Sequence, residues 1–525
     1  MASAERTRFT RKERSWILYD WANSVYATNI MAAIFPTIFV AFAGDQGDVW
    51  WGYGTSIATL IVALLAPVLG SVADYKGMKK KLFTSFMLLG VVFTASMAFT
   101  NDWRMMLVGY VISRIGFSGS NLFYDSFLTD VTTNERMDTV SSWGYAMGYI
   151  GGSTIPFVIS IAGLLALGYS NPIAQKFSIL IVPVWWLVFS IPFLKNVEQA
   201  HYIDKPARIS IKGIFGNILE TALDIARQKG LLLFIIAYFF YIDGVGTVIS
   251  ISTAYGTALG LGATGMILAL LVTQIVAMPS SILFARMTKK ISTRKALLVA
   301  ITVYMFICFV GFVMGFTLEP HQFRYQDALD AKRVAVMREL DALAQDGEEE
   351  KEGAIDQYFQ AASRAIMAND KKALLEICLG LEDPASSRAE AALVSGLTVF
   401  MDDEKDAISS YQEAIRFSTM LFWFMAILVG TMQGGIQAVS RSYFGKLVPK
   451  KRSNEYFGFF DIFGKFAAVI GPLLYAVISN LTGRSSFGAL GLLSLFLLGF
   501  IFLLIAKEPL NALEAERALA RPNQE

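Results

Sequence analysis

Long apolar runs recur along the chain, and each is about the length of a helix that crosses a lipid bilayer. A hydrocarbon core about 30 Å thick requires roughly 20 apolar residues per helix. The runs lie near residues 16–43, 49–73, 82–100, 103–129, 140–168, 174–194, 231–256, 263–286, 295–317, 418–445, 455–480 and 485–506. They predict an all-α membrane protein with twelve transmembrane helices. The first run is too long for a signal-peptide core, so we interpret it as a retained helix.

The amino-acid composition limits the classes of protein to which the chain can belong. Of the 525 residues, 54% are hydrophobic and 17% are charged, whereas soluble domains carry about 25% charged residues. The formal net charge of +2 provides no overall attraction to nucleic acid. Two cysteines, Cys308 and Cys378, exclude a disulfide framework and a four-cysteine metal site. We therefore predict neither an enzyme nor a bound cofactor or metal.

Soluble stretches divide the apolar runs into blocks. We predict an N-terminal six-helix bundle over residues 1–195 and a linker with an amphipathic helix over 196–230. The predicted C-terminal bundle consists of helices seven to nine over 231–317 and helices ten to twelve over 418–510, followed by a tail over 511–525. Residues 318–417 are predicted to form an acidic helical insertion, since 319–416 contain 21 Asp and Glu against 11 Lys and Arg.

The distribution of cations predicts the orientation. Lys and Arg of short loops stay in the cytoplasm, and they cluster after spans two, six, eight and ten. Both termini and the linker are therefore predicted to be cytoplasmic, in a bacterial inner or plasma membrane, with the insertion on the outside. The insertion could be a solvated helical cap or a surface that contacts a protein or peptide.

Weak internal repetition supports two similar bundles. Sliding the chain by 316 residues aligns Gly148 with Gly464 and Pro156 with Pro472. Transporters are commonly built from such repeats, with the solute site between them.

Ionisable residues inside the spans are candidates for function, because a charge at bilayer depth costs several kcal/mol. Arg114, Asp243 and Lys465 fall near the midplane, while Asp20 and Asp125 lie nearer the inner end of their spans. A cavity holding a cation and a carboxylate suits a zwitterion, whose ammonium would meet Asp243 and whose carboxylate would meet Arg114 or Lys465. With no histidine in any span, the predicted proton carriers are Asp243, Asp20 and Asp125.

Lys465 has a simpler alternative. Asp461 precedes it by one helical turn, so the two side chains could neutralise each other as an ion pair.

Uncharged polar residues extend the predicted solute site. Asn23, Tyr26 and Asn29 step by three along the first span, and Gln433 and Gln437 stand one turn apart in the tenth. Such stripes favour a water-lined face. The alternative is that these side chains bond neighbouring helices.

The loop after the second span reads GSVADYKGMKKK. It resembles the signature between helices two and three of the major facilitator superfamily, whose Asp helps to latch the two halves on the cytoplasmic side. The matching positions, which we predict to act in gating, are Gly70, Asp74, Gly77 and Lys79.

Three further stretches are more specific: YDWANSVYATNI from Tyr19, FYDSFLTDVTTNERMDTVSSWGYAMGYIGG from Phe123, and GTMQGGIQAVSRSYFGKLVPKKRSNEYFGFFDIFGKFAAVIGPLL from Gly430. They resemble the autophagy-related vacuolar amino-acid effluxers and their bacterial relatives, a branch of that superfamily. The resemblance implies the fold and amino-acid-like solutes. Asp125 departs from it, because that family often has Asn there.

These features together predict a secondary active transporter of a small polar solute. Amino acids or short peptides are the first candidate solutes, and protons are a candidate coupling ion. One alternative is an exporter of amphipathic or drug-like compounds. Another is a membrane receptor or scaffold that acts through residues 318–417.

Overall fold

The structure is a computed structural model that describes residues 8–44, 47–204, 211–343 and 404–519. Helices account for nearly all of these residues. They are α1 Arg11–Ala43, α2 Gly47–Ala73, α3 Met78–Met97, α4 Trp103–Ser126, α5 Asn134–Leu167, α6 Pro172–Asn196, α7 Ile211–Arg227, α8 Lys229–Ala258, α9 Ala263–Ile291, α10 Thr293–Leu343, α11 Lys405–Leu447, α12 Ser453–Thr482, α13 Ser485–Ile505 and α14 Lys507–Leu519.

Eleven of the described helices are long and apolar enough to cross a membrane. The twelfth predicted crossing, α4, is less apolar because Arg104, Arg114 and Asp125 interrupt it, yet it is a continuous helix of 24 residues that packs along α2 and α3. The predicted all-helical membrane fold is therefore confirmed. With twelve crossings, both described ends of the chain lie on one side, which we call the terminal face.

The crossings form two halves, α1–α6 and α8–α13. The interior of the first half is filled by stacked aromatic rings. Tyr26 lies 4.6 Å from Phe117 and 5.7 Å from Trp186, measured between ring centroids, and all three rings pack together. Burial of such large rings supplies much of the packing energy of a bundle.

Two membrane helices contain π-helical segments, Tyr26–Ala33 in α1 and Gly148–Thr154 in α5. Such segments are often found at functional sites. Here they lie where α1 and α5 approach closely, because Gly148 and Gly152 face Ser24 and leave no room for a side chain. The Gly144, Gly148 and Gly152 repeat is thus a packing surface.

The acidic insertion does not begin with a break in structure at residue 318. Helix α10 continues to Leu343 and α11 already begins at Lys405, so both run beyond the predicted spans. The rings of Tyr325 and Tyr411 pack against each other across this extension, with their centroids 5.2 Å apart. Residues 344–403 of the predicted insertion lie outside the described residues, as does Cys378.

The predicted amphipathic linker helix corresponds to α7. Its polar side faces the protein: Thr221 accepts a hydrogen bond from Arg452 of the second half, and Asn217 donates one to Tyr75 of the first. Leu219 and Leu223 lie on the opposite, exposed side. Helix α7 therefore contacts both halves at the terminal face.

Candidate functional site

The two halves meet through three groups of buried polar contacts toward the terminal face. The contacting helices are α2 with α12, and α5 with both α9 and α11. A transporter that opens at this face must break these contacts. The residues that form them are therefore the candidate site.

The first group involves the α2–α3 turn. The carboxylate of Asp74 accepts hydrogen bonds from the backbone amides of Asn454 and Glu455, both at 3.0 Å, at the first turn of α12. A helix N-terminus favours an anion. Burial nevertheless raises the pKa of Asp74 to about 7, against the lowering effect of Lys79 and of these amides. Gly77 supplies the left-handed backbone, at φ 72°, that the turn requires.

Lys79 lies beneath this turn and is fully buried. Its ammonium is 2.6 Å from Asp130 and donates a longer bond to Ser453 of the second half. Burial alone would raise the pKa of Asp130, but Lys79 and hydrogen bonds from His201 hold it below its usual value. The ion pair is therefore maintained in a dry site.

The second group joins α5 to α11 and to the first residue of α10. Asp138 accepts hydrogen bonds from Ser442 at 2.6 Å and from Thr293 at 3.0 Å, and Lys446 is 2.6 Å from the same carboxylate. Thr293 follows Ser292, whose φ of 75° is a conformation that few non-glycine residues adopt. This turn between α9 and α10 occupies the place in the second half that the α2–α3 turn occupies in the first.

The third group is a buried cluster of one cation and two carboxylates. Arg441 of α11 is 2.8 Å from Asp125 of α4 and 3.3 Å from Asp20 of α1. Its guanidinium also donates to Ser141 of α5. Arg441 is 3% exposed, so one cation of the second half is neutralised inside the protein by two carboxylates of the first.

Aromatic rings and a cavity surround this charge cluster of Arg441, Asp20 and Asp125. The guanidinium carbon lies 4.7 Å from the Trp16 ring and 4.5 Å from the Tyr145 ring, distances at which the ring faces attract a cation. A cavity of about 220 Å³ adjoins the cluster, and its walls include Asp125 and residues of α8 and α12. Space for a small solute therefore lies between the two halves beside a carboxylate.

The structure does not bring Arg114 and Asp243 together. Arg114 donates to Tyr110 on its own helix and to Thr59 on α2, within the first half. Asp243 is 1% exposed within the second half, where one carboxylate oxygen accepts from the amide of Gly471 and the other has no hydrogen-bond partner. In this structure the two residues therefore have separate partners, and their meeting around one solute stays a prediction. Each is held by neutral groups of its own half.

The predicted polar stripe of α1 faces the interior of its own half. Asn23 donates to Asn121, Asn29 donates to Ser160, and Tyr26 shares a 2.7 Å hydrogen bond with Ser113. Tyr26 and Asn29 are fully buried. These contacts favour the alternative in which the polar side chains bond neighbouring helices.

The remaining candidates lie along α11 and α12. Gln433 lines a different cavity, inside the second half, and Gln437 stands one turn from Arg441. Asp461 lines the cavity beside Asp125. The side chain of Lys465 lies outside the described residues, so its suggested pairing with Asp461 stays a prediction.

The sequence analysis missed Arg441 and Asp138, and it assigned no role to Asp130, although that residue also lies at the inner end of a predicted span. Arg441 stands four residues after Gln437 and eight after Gln433, so it extends the same helical stripe. In the sequence alone, Arg441 resembles one of the cations that commonly flank a span. Its position on the same stripe as the two glutamines distinguishes it from such a flanking charge.

Comparison with known proteins agrees with this architecture. A family model described as "Vacuole effluxer Atg22 like" matches residues 50–326 and 418–515. The chain belongs to this family. The resemblance seen in the three sequence stretches is thereby confirmed, and the Atg22-like protein is a multi-pass membrane transporter of the major facilitator superfamily.

Individual relatives cover nearly the whole Atg22-like chain. The MFS-type transporter YxiO of Bacillus subtilis (strain 168) is 38% identical over 95% of this chain and 96% of its own. Autophagy-related protein 22 of Eremothecium gossypii is 19% identical over 96% of this chain and 90% of its own. A solved bacterial homologue of the iron transporter ferroportin, in its outward-facing state, has a TM-score of 0.55 at 11% identity, covering 95% of this chain and 98% of that one. This last likeness concerns the fold.

Proposed function

We propose that this protein is a secondary active transporter that moves a small polar solute by alternating access coupled to protons. Amino acids or short peptides are the first candidate solutes. The observation that carries the proposal is the buried contact of Arg441 with Asp20 and Asp125 across the two halves. Opening at the terminal face separates these charges. In the open state, Arg441 and the two carboxylates then need other partners.

An amino acid offers both partners at once. Its ammonium group can take the place of the guanidinium at Asp125, and its carboxylate can take the place of a side-chain carboxylate at Arg441. The adjoining cavity of about 220 Å³ has room for a small amino acid. This assignment replaces the pair Arg114 and Asp243 as the zwitterion site.

Protons are the second means of neutralising the cluster. Once Arg441 withdraws, Asp20 and Asp125 are two nearby carboxylates in a poorly solvated site, and a buried charge without a partner is usually removed by protonation. A proton would therefore bind in the state open at the terminal face and leave when Arg441 returns. Asp243 remains a candidate proton carrier because one of its buried oxygens has no hydrogen-bond partner.

The test is transport in proteoliposomes, with labelled amino acids and short peptides measured under a pH gradient and in exchange without a gradient. Asp125→Asn is expected to retain exchange and to lose at least about tenfold of gradient-driven accumulation. Exposed Glu516 provides the matched control, Glu516→Gln. Full gradient-driven accumulation by Asp125→Asn would remove that residue as a proton carrier.

Asp243→Asn in the same assay separates the two candidate carriers. If Asp125 carries the proton, Asp243→Asn retains gradient-driven accumulation once expression is normalised. If Asp243 carries it, only Asp243→Asn loses the gradient dependence. Absence of flux for every amino acid and peptide would refute the proposed solute class and leave the transporter fold unaffected.

A second candidate solute class is amphipathic or drug-like compounds, which the apolar cavity of the second half favours. Adding such compounds to the same flux assay compares the two classes directly. The receptor alternative is tested by replacing residues 344–403 with a short linker, since unchanged flux would show that transport does not need them.

The proposed orientation has both termini in the cytoplasm. Exposed Lys76, Lys289 and Lys290 all lie at the terminal face, as expected for a cytoplasmic surface.

A further inference from the structure

The second half contains a partly open cavity of about 110 Å³. Helices α8 to α13 all contribute to its walls, and none of the three residues of the charge cluster does. An engineered apolar cavity of about 150 Å³ in another protein holds benzene. The cavity is thus close to the size that one aromatic ring occupies.

The hollow arises from small side chains at the centre of the second half. Helix α8 packs on α12 and α13, whereas α9 packs on α11 and α11 packs on α10. The cavity lies between these two groups, where its walls carry Cys308, Gly311, Ala426 and Ala489. In the first half, the equivalent helices α1, α4 and α6 meet through large aromatic rings. Since interiors are normally packed densely and voids are destabilising, the hollow half is the exceptional one.

The chemistry of the lining selects the kind of ligand. Most of the wall is apolar, and the described lining contains no Asp, Glu, Lys or Arg. A charged ligand would lose its hydration there without gaining a counter-ion. The side-chain oxygen of Gln274 lies in this lining, is shielded from solvent and has no hydrogen-bond donor in the described structure. Buried acceptors are normally satisfied, so this oxygen lacks a donor that a ligand can supply.

We propose that this cavity binds a neutral molecule with an apolar body and one hydroxyl or amide N–H group, which donates to Gln274. Cys308, Phe422 and Met425 form part of the apolar wall that holds the body. The site is separate from the proposed zwitterion site, and its occupation does not depend on the transported solute.

A molecule bound in this cavity would affect the contact between the two halves. Gln433 lines the cavity, and the next residue, Gly434, packs against Tyr149 of the first half. A bound molecule is therefore placed to alter closure of the halves.

Binding can be measured locally through the buried thiol of Cys308. In a Cys378→Ser background, the purified full chain in detergent would be treated with an apolar maleimide in the presence of three probes of similar body. They are phenol, anisole, which lacks the donor, and benzenesulfonate, which is charged. We expect phenol to slow alkylation about fivefold more than anisole, a difference typical of one hydrogen bond, and the sulfonate to give no protection.

Two variants complete the test. Gln274→Leu should abolish the preference for phenol over anisole, and Ala426→Phe should remove protection by filling the cavity. Leu268→Phe, at an exposed position on α9 outside the lining, is the control and should behave as the parent. A rise of Tm with phenol in the parent, absent in Ala426→Phe, reads out binding even if Cys308 is unreactive. Equal protection by all three probes, or no protection together with no change of Tm, would overturn the proposal.

Discussion

Replacing Arg441 by Gln should shift the protein toward the state that is open at the terminal face. The substitution leaves Asp20 and Asp125 facing the second half without their cation. Removing one partner of a buried ion pair costs about 3–5 kcal/mol. Because the Asp125 side chain is 34% exposed and solvent screens it, we take the lower end, about 3 kcal/mol, which corresponds to roughly a hundredfold change in the closed-to-open ratio.

The shift can be read as a distance across the terminal face. Spin labels at Lys76→Cys in the first half and Lys290→Cys in the second, in a background without native cysteines, report the separation of the halves in proteoliposomes. The Arg441→Gln variant should populate longer distances and lose gradient-driven transport. Arg441→Lys should be intermediate, since one ammonium cannot bond both carboxylates in the way that a planar guanidinium does.

Arg484 provides a matched control. It is 2.7 Å from Glu319 at the opposite end of the second half, and both residues belong to that half. Arg484→Gln should lower Tm without changing the label distances. Combining Arg441→Gln with Asp125→Asn should restore part of the closed population, because the stranded charge is removed. Unchanged distances in Arg441→Gln, or an equal change in Arg484→Gln, would refute the reasoning.

Three further predictions concern the same closure. Closure at the terminal face should weaken as pH rises from about 4 through about 7, because the pKa of Asp74 is about 7 when it is buried and returns toward 3.8 when the halves part. The distances between the spin labels should therefore increase over this pH range in the parent and should not depend on pH in Asp74→Asn. Asp138→Asn should favour the open state by about 2 kcal/mol by breaking contacts with Lys446, and Lys446→Gln should add little to it, as a double-mutant cycle of label distances would show. Gly434→Ala should lower transport and Tm because its methyl group would lie 2.6 Å from the Tyr149 ring, whereas Gly246→Ala, which meets no atom within 4 Å, should leave both unchanged.

The apolar runs predicted the helices well because bilayer thickness fixes helix length. Even α4, which is less apolar than the others, was placed correctly, since its polar residues still leave a long helical run. The Asp74 turn was also predictable, because its glycines and charges form a local pattern that requires no knowledge of distant contacts. Its partners, the amides of Asn454 and Glu455, were not, because any helix N-terminus could supply them.

The neutral partners of the buried charges were the part that sequence could not provide. Arg114 and Asp243 have no charged residue one helical turn away, so the sequence favours a partner across the bundle, in a cavity or on a solute. In the structure, Tyr110 accepts from Arg114 one turn away, and the amide before Pro472 donates to Asp243. Neutral partners of this kind leave no charge pattern in the sequence.

The charges of the second and third groups are also distributed unequally between the halves. In these two groups the first half contributes Asp20, Asp125 and Asp138, and the second contributes Arg441 and Lys446. Separation at the terminal face therefore leaves carboxylates of the first half opposite cations of the second. The proposed zwitterion would face the first half with its ammonium and the second half with its carboxylate. It would then bridge the same charges that are paired directly in the empty closed state, so that the loaded transporter could close again.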